Sequence, residues 1–328
     1  MRMRYFLSGD IGGTKTRLQI SAENARTPVL QRTYQSSAYA GLENIVDEIL
    51  AEAGLRDMTA ACFALAGPVT GRVVKLTNLP WLVDGDSLAE RYGIKHVKLI
   101  NDFEAVGHGV ATLQTADLLP LQAGAEKFAG VRLVVGAGTG LGVAWLTMQG
   151  GVYQVHPSEG GHMDFAPVDE VQALLLRHMQ HRHGHVSYER IVSGPGLTAI
   201  FEFMRDTGLA TPSAQLLAAM DKEDTAAVLT RFSQQGDELI AQMTVNLFIS
   251  IYGAFVGNLA LAALPYGGIY IAGGIAAKIA PQMLKGAFIN AFLAKGRFDG
   301  LLATLPMHII KNENVGLMGA DFLAQRHV

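Results

Sequence analysis

The sequence predicts an α/β protein of two similar domains facing a ligand cleft, and three features carry that prediction. Strand and helix patterns alternate through the first hundred residues and resume after Gln114. Each αβ region opens with strand, glycine-rich turn and strand, at residues 9–14 and again at 136–142. No low-complexity linker or short tandem repeat interrupts the 328 residues, a length sufficient for two cores. The expected division is residues 1–112 with 303–328 as a small domain, and 113–302 as a large one.

The elements follow in order. Residues 5–7 and 17–21 flank the turn at 10–14 and read as a β-hairpin. Residues 41–54 (GLENIVDEILAEAG) carry apolar side chains at helical spacing between two glycines. The run 60–66 is a buried strand ending in Gly67-Pro68, 87–92 a short helix, and 97–100 a strand leading into a helix over 103–113. In the second region, strands are expected at 131–135, 143–146, 268–271 and 307–310. The long stretch 169–264 is mostly helical, and a helix over 315–325 ends the pattern.

Composition removes several function classes. The formal net charge of −3 provides no basic face for nucleic acid or an anionic membrane. The single cysteine, Cys62, allows neither a disulfide within the chain nor a cysteine-based zinc site. Its apolar surroundings read as core. The basic start Met1-Arg2-Met3-Arg4 precedes an apolar piece too short for a signal sequence. The apolar stretch 247–264 is punctuated by Ser250, Gly253, Gly257 and Asn258, and is expected to form buried core helices rather than a membrane span. A cytoplasmic protein is the expectation.

Gly9-Asp10-Ile11-Gly12-Gly13-Thr14 follows a strand. Paired glycines let backbone N–H groups converge on an anion. The Asp10 carboxylate beside them would repel phosphate unless a cation intervened, which suggests Mg²⁺ held through water. A P-loop is rejected, because Thr14 stands where its second glycine belongs and a strand follows. In Gly136-Ala137-Gly138-Thr139-Gly140-Leu141-Gly142 the spacing is likewise wrong for a dinucleotide fingerprint. It fits a second phosphate-gripping hairpin. Gly273-Gly274 after a third strand repeats the theme.

Asn101-Asp102 lies just past a strand end, where ligands bind in α/β sheets, and also suits a helix N-cap. A cap position would keep Asp102 ionised and fixed, as a base should be. In Ser158-Glu159-Gly160-Gly161-His162 the acid and the imidazole can face one small polar ligand across two glycines; a plain surface loop is the competing reading. Glu189 alone reads as a solvated charge. His178, His181, His183 and His185 crowd one segment without a carboxylate or thiol among them, so an exposed helix end is favoured over a metal site.

Taken together, GDIGGT (9–14), AGPV (66–69), NLPW (78–81), NDFEAVGHG (101–109), GTGLG (138–142), HPSEGGHMDFAP (156–167), YERIVSGPGL (188–197), AGGIA (272–276) and GLMGA (316–320) resemble the bacterial glucokinase family across the whole chain. That resemblance implies the two-domain, ribonuclease H-like fold of actin-like ATPases. It implies ATP and Mg²⁺, glucose phosphorylated at its 6-hydroxyl, and a homodimer. Position by position, it implies Asp10 at the Mg²⁺, with Gly9, Ile11, Gly12, Gly13 and Thr14 around the phosphates. Gly138 and Thr139 would grip the phosphates, and Gly273 and Gly274 would border the adenosine. Asn101, Asp102, Glu159, His162 and Glu189 would bind the sugar, with Asp102 as base. Lys15-Thr16 stands where many members have Asn-Ala and looks more like the related repressor–kinase family, whose zinc-binding cysteines are absent here. Two other readings are a kinase for another hexose or amino sugar, and a non-catalytic sugar-sensing regulator. The latter would carry an N-terminal DNA-binding segment, and the phosphate-loop pattern here begins within ten residues of Met1.

Overall fold

The computed structural model describes residues 3–25, 27–76 and 79–326. Met1, Arg2 and the Asn78 of NLPW, named above, lie outside them. The chain runs β1 (Tyr5–Ile11), β2 (Lys15–Ala22), β3 (Leu30–Gln35), α1 (Leu42–Ala53), β4 (Ala60–Leu65), β5 (Val73–Lys75), β6 (Leu82–Asp84), α2 (Gly85–Tyr92), β7 (His96–Asn101) and α3 (Asp102–Gly109). It continues through β8 (Leu118–Gln122), β9 (Arg132–Ala137), β10 (Leu141–Gln149), β11 (Val152–Ser158), α4 (Glu170–His183), α5 (Gly194–Asp206), α6 (Ala214–Met220), α7 (Thr225–Gln235) and α8 (Leu239–Ala263). It closes with β12 (Ile269–Ala272), α9 (Gly274–Met283), α10 (Ala287–Leu293), α11 (Asp299–Leu302), β13 (Met307–Ile310) and α12 (Val315–Arg326).

Two compact units result. One comprises Met1–Thr115, Val152–Pro157 and Asn312–Val328, the other Ala116–Gly151 and Ser158–Lys311. Residues 303–311, expected in the small domain, fall in the second unit because β13 pairs in parallel with β12.

The first unit holds a sheet of order β3-β2-β1-β4-β7. β1 is antiparallel to β2 and parallel to β4, and β4 is parallel to β7. Alternation along these strands separates two faces. Leu7, Leu18, Ile20, Phe63 and Leu65 pack with Leu42, Ile45, Val46 and Ile49, the i, i+3, i+4, i+7 stripe of α1. The other face presents the small side chains Ala60, Cys62 and Ala64 with Phe6 and Ile100, under Ala105 of α3 and Ala320, Leu323 and Ala324 of α12. Cys62 is fully buried, and burial pushes its thiol up to about 12, which fits the core reading. α3 and α12 meet backbone to backbone: a Cβ on Gly319 would overlap the Ala105 carbonyl, and one on Gly109 the Val315 carbonyl. That packing gives the GLMGA motif a structural reason, since it seats the helix that carries Asp102.

The second unit repeats the plan with strands in the order β10-β9-β12-β13-β8, in which β9, β12 and β13 are parallel and β10 and β8 antiparallel to their neighbours. Its core gathers Phe248, Ile249, Tyr252, Phe255 and Val256 of α8 with Leu133, Val135, Ile269 and Ile271 of the sheet. The stretch 247–264, expected as core helices, lies in one 25-residue helix up to Ala263 with Leu264 as its C-cap, and most of the helix is buried in this core. The glycines that looked like breaks receive α10 instead. A Cβ on Gly253 would overlap the Phe288 carbonyl, and one on Gly257 would lie 2.6 Å from the Phe292 carbonyl oxygen. Strands β3, β5, β6, β8 and β11 went unanticipated; β3 and β11 are mostly exposed or half-exposed and lack an apolar alternation, and β5 and β6 are only three residues long.

Candidate active site

In the first unit, Asp10 lies near the C-terminal end of β1, and Asn101 and Asp102 at the C-terminal end of β7, two strands away across β4. At strand spacing this is about 10 Å. Asn101 is the N-cap of α3: its Oδ1 accepts from the Phe103 N–H at 2.8 Å and the Glu104 N–H at 3.1 Å. Its Nδ2 donates to the Gly67 carbonyl at 2.9 Å, so the amide also fixes the AGPV turn. The cap reading therefore holds for Asn101, whose Nδ2 carries a second hydrogen besides the one given to Gly67.

Asp102 is not the cap but the first helical residue, and its Oδ1 accepts from the Phe103 N–H at 2.8 Å. The helix end fixes the carboxylate but does not hold it at an ordinary value. Burial, and then the negative charge of Asp10, push its carboxyl up to about 6 against the pull of the N–H groups.

Asp10 pairs across the hairpin with Arg17, whose Nη1 lies 3.8 Å from Asp10 Oδ2. The same guanidinium donates to the Glu313 backbone carbonyl at 3.0 Å and to its Oε2 at 3.4 Å. Burial raises the Asp10 carboxyl above its ordinary value, and Arg17 only partly opposes this. Arg17 was not among the residues singled out, although the hairpin register alone sets it opposite Asp10. Gly9 and Ile11 belong to the strand: Ile11 is fully buried, and a Cβ on Gly9 would lie 2.7–2.8 Å from Leu18, Ile11 and Phe63 side chains. The side-chain-free, half-exposed turn is Gly12-Gly13, closed by the Gly12 N–H donating to the Lys15 carbonyl at 3.0 Å.

In the second unit, the turn between β9 and β10 is closed by the Gly138 N–H donating to the Gly140 carbonyl at 2.8 Å. The Gly138 carbonyl accepts from Gly194, the first residue of α5, at 2.8 Å. Space beside the Gly138 Cα is open. Glu189 is stitched to this turn. Its Oε2 accepts from the Leu141 N–H at 2.9 Å, and a Cβ on Gly140 would lie 2.6 Å from that oxygen. Its own N–H donates to the Gly161 carbonyl at 2.9 Å. His162 Nε2 then stands 3.9 Å from Glu159 Oε2 and 3.9 Å from Glu189 Oε1. Glu159 and His162 are more than half exposed, Glu189 one-third. The fold thus gathers all three, including Glu189, which sequence reading treated as a solvated charge.

Gly273 opens α9 at φ +86°, where a Cβ would overlap the Ala137 carbonyl; beside Gly274 the space is open. The four histidines part ways. His183 Nδ1 faces Arg190 Nη1 at 3.0 Å, His185 bonds to Asp164 at 2.6 Å, and His178 packs edge-on against Phe203. Among the described residues no group of three or more His, Cys, Asp or Glu side chains is arranged to hold a metal ion.

A family model described as glucokinase matches residues 7–327. A glucokinase from a Nostoc species is 44% identical, covering 99% of this chain and all of its own. One from a Synechocystis species is 41% identical, covering 97% of each. The crystal structure of a glucokinase from an Antarctic psychrotroph aligns over 98% of this chain and 99% of its own, at 28% identity and a TM-score of 0.84. The chain belongs to the glucokinase family.

Proposed function

We propose that the protein is a cytoplasmic, homodimeric glucokinase that moves the γ-phosphoryl group of ATP onto the 6-hydroxyl of glucose. The observation that carries this reading is Asp102, a carboxylate fixed at a strand end in the first turn of α3 and pushed up to about 6. A base with that value is ionised at neutral pH and still accepts a proton readily. The family resemblance assigns the two units to the two domains of the actin-like fold, and their repeated sheet order supports it.

In the proposed reaction the glucose O6 bonds to the γ-phosphorus while its proton passes to Asp102. The bond from that phosphorus to the β–γ bridging oxygen breaks, and ADP leaves. Such a transfer depends on positioning and charge more than on covalent help from the protein. Asn101, Glu159, His162 and Glu189 are assigned to the sugar hydroxyls. Gly12, Gly13, Thr14, Gly138 and Thr139 are assigned to the phosphates, and Gly273 and Gly274 to the adenosine border.

Asp10, largely buried and 3.8 Å from Arg17 Nη1, suits a further cation held through water. With no group of three or more such ligands among the described residues, Asp10 fits a Mg²⁺ that would arrive with the nucleotide. When bound, that ion offsets charge on the phosphoryl oxygens. A coupled assay with ATP, Mg²⁺ and a panel of hexoses tests the reading. Glucose should be the preferred acceptor. Preference for another hexose replaces the substrate, and sugar binding without turnover replaces the enzyme with a sensor.

A further inference from the structure

We propose that Ser36 and Thr16 form a buried relay that aims the first phosphate loop, making Ser36 a positioning residue for the nucleotide. The proposal rests on the reading of residues 12–14 as a phosphate site.

Ser36 follows the edge strand β3, whose last residues pair with the start of β2: Gln35 with Lys15 and Tyr34 with Thr16. This register brings Ser36 against the hairpin turn. Its Oγ donates to the Gly12 carbonyl at 2.9 Å, and its N–H donates to the Thr14 carbonyl at 3.0 Å. One residue thereby holds two carbonyls of one three-residue turn. The Ser36 hydroxyl has a single hydrogen, and Gly12 takes it. The Thr16 hydroxyl, 3.0 Å from Ser36 Oγ, must then be the donor in that contact. Both side chains are fully buried, so the order Thr16 to Ser36 to Gly12 is not exchanged with water.

The consequence follows from the peptide plane. In a trans peptide the C=O of one residue and the N–H of the next point in opposite directions. With the Gly12 carbonyl drawn toward Ser36, the Gly13 N–H is turned to the opposite side. With the Thr14 carbonyl drawn the same way, the Lys15 N–H is turned likewise. A glycine pair left to itself would sample many orientations of these groups. The relay selects one, so the ordering is complete before an anion arrives.

The test is calorimetric binding of the non-hydrolysable analogue AMPPNP with Mg²⁺, alongside adenosine and glucose, to the full chain. Ser36→Ala should weaken AMPPNP about five- to tenfold and leave adenosine and glucose within twofold, because only the phosphates meet the loop. Thr16→Val, which keeps the shape and removes the hydroxyl, should weaken AMPPNP about two- to threefold, and Thr16→Ser should restore it. In turnover, KM for ATP should rise more than kcat falls. Unchanged AMPPNP affinity in Ser36→Ala overturns the proposal, as does an equal loss for adenosine. Should Ser36→Ala fail to fold, the Thr16 pair decides: equal affinity of its Val and Ser variants overturns the relay. Failure of the unaltered chain to bind AMPPNP overturns the phosphate reading itself.

Discussion

The Leu141 N–H donates to Glu189 Oε2 at 2.9 Å, so the carboxylate assigned to the sugar also anchors the glycine turn assigned to the phosphates. Its other oxygen faces His162. On that assignment, one side chain would couple the two substrates.

That coupling separates two variants. Glu189→Ala should raise KM for glucose and KM for ATP together, each by roughly tenfold or more, since it leaves the Leu141 N–H without its partner. Glu159→Ala removes a mostly exposed carboxylate that faces His162, and should raise KM for glucose with little change for ATP. Measured Michaelis constants for both substrates decide this. An ATP constant unmoved in Glu189→Ala would show that the turn stands without its anchor.

Asp102→Ala should lose turnover by several orders of magnitude while glucose binding survives in weaker form. The unaltered protein should show kcat/KM for glucose rising with pH through a midpoint near 6, as the raised carboxyl gives up its proton. A flat profile between pH 5 and 7.5 removes Asp102 from the role of base.

The same raised value predicts a stability gain on removing the charge. A carboxyl whose folded value lies above its unfolded value near 3.8 destabilises the fold once both forms ionise. Asp102→Asn should therefore melt higher at pH 8, by on the order of 1–2 kcal/mol of stability. The gain should shrink as pH falls below 6 and vanish below about 4. Thermal melts at pH 4, 6 and 8 measure it, and a loss of stability at pH 8 would contradict the burial argument.

Gly319→Ala should destabilise the first unit by about 2 kcal/mol or more, because the added methyl must push α12 off the Ala105 carbonyl. The displacement should reach α3 and lower kcat too. Denaturant unfolding with activity in parallel checks both, and an unchanged midpoint would mean that the helices part at little cost.

Zinc chelators should leave activity intact in excess Mg²⁺, since Cys62 is buried and no three-member metal group is present among the described residues. Activity lost to a chelator and restored by zinc alone would redirect attention to residues 178–185.

The sequence by itself determined the α/β class, most strand–turn–helix units and the glycine turns, because these depend on periodicity and on φ freedom, both local properties. It also pointed to Asp102, since Asn-Asp after a buried strand is readable from neighbours in the chain. Whether Glu189 is a solvated charge or an anchor depends on residues 48 positions away, and no local pattern records that pairing. The same holds for Ser36, brought to the phosphate loop only by the register of β3 on β2, and for Glu313, which reaches Arg17 from the far end of the chain. Gly253 and Gly257 looked like helix breakers until α10 was seen to need their missing side chains. The value near 6 at Asp102 likewise came only from tertiary structure. Burial and the Asp10 charge two strands away act through space, and together they outweigh the helix N-terminus that the sequence had brought to it.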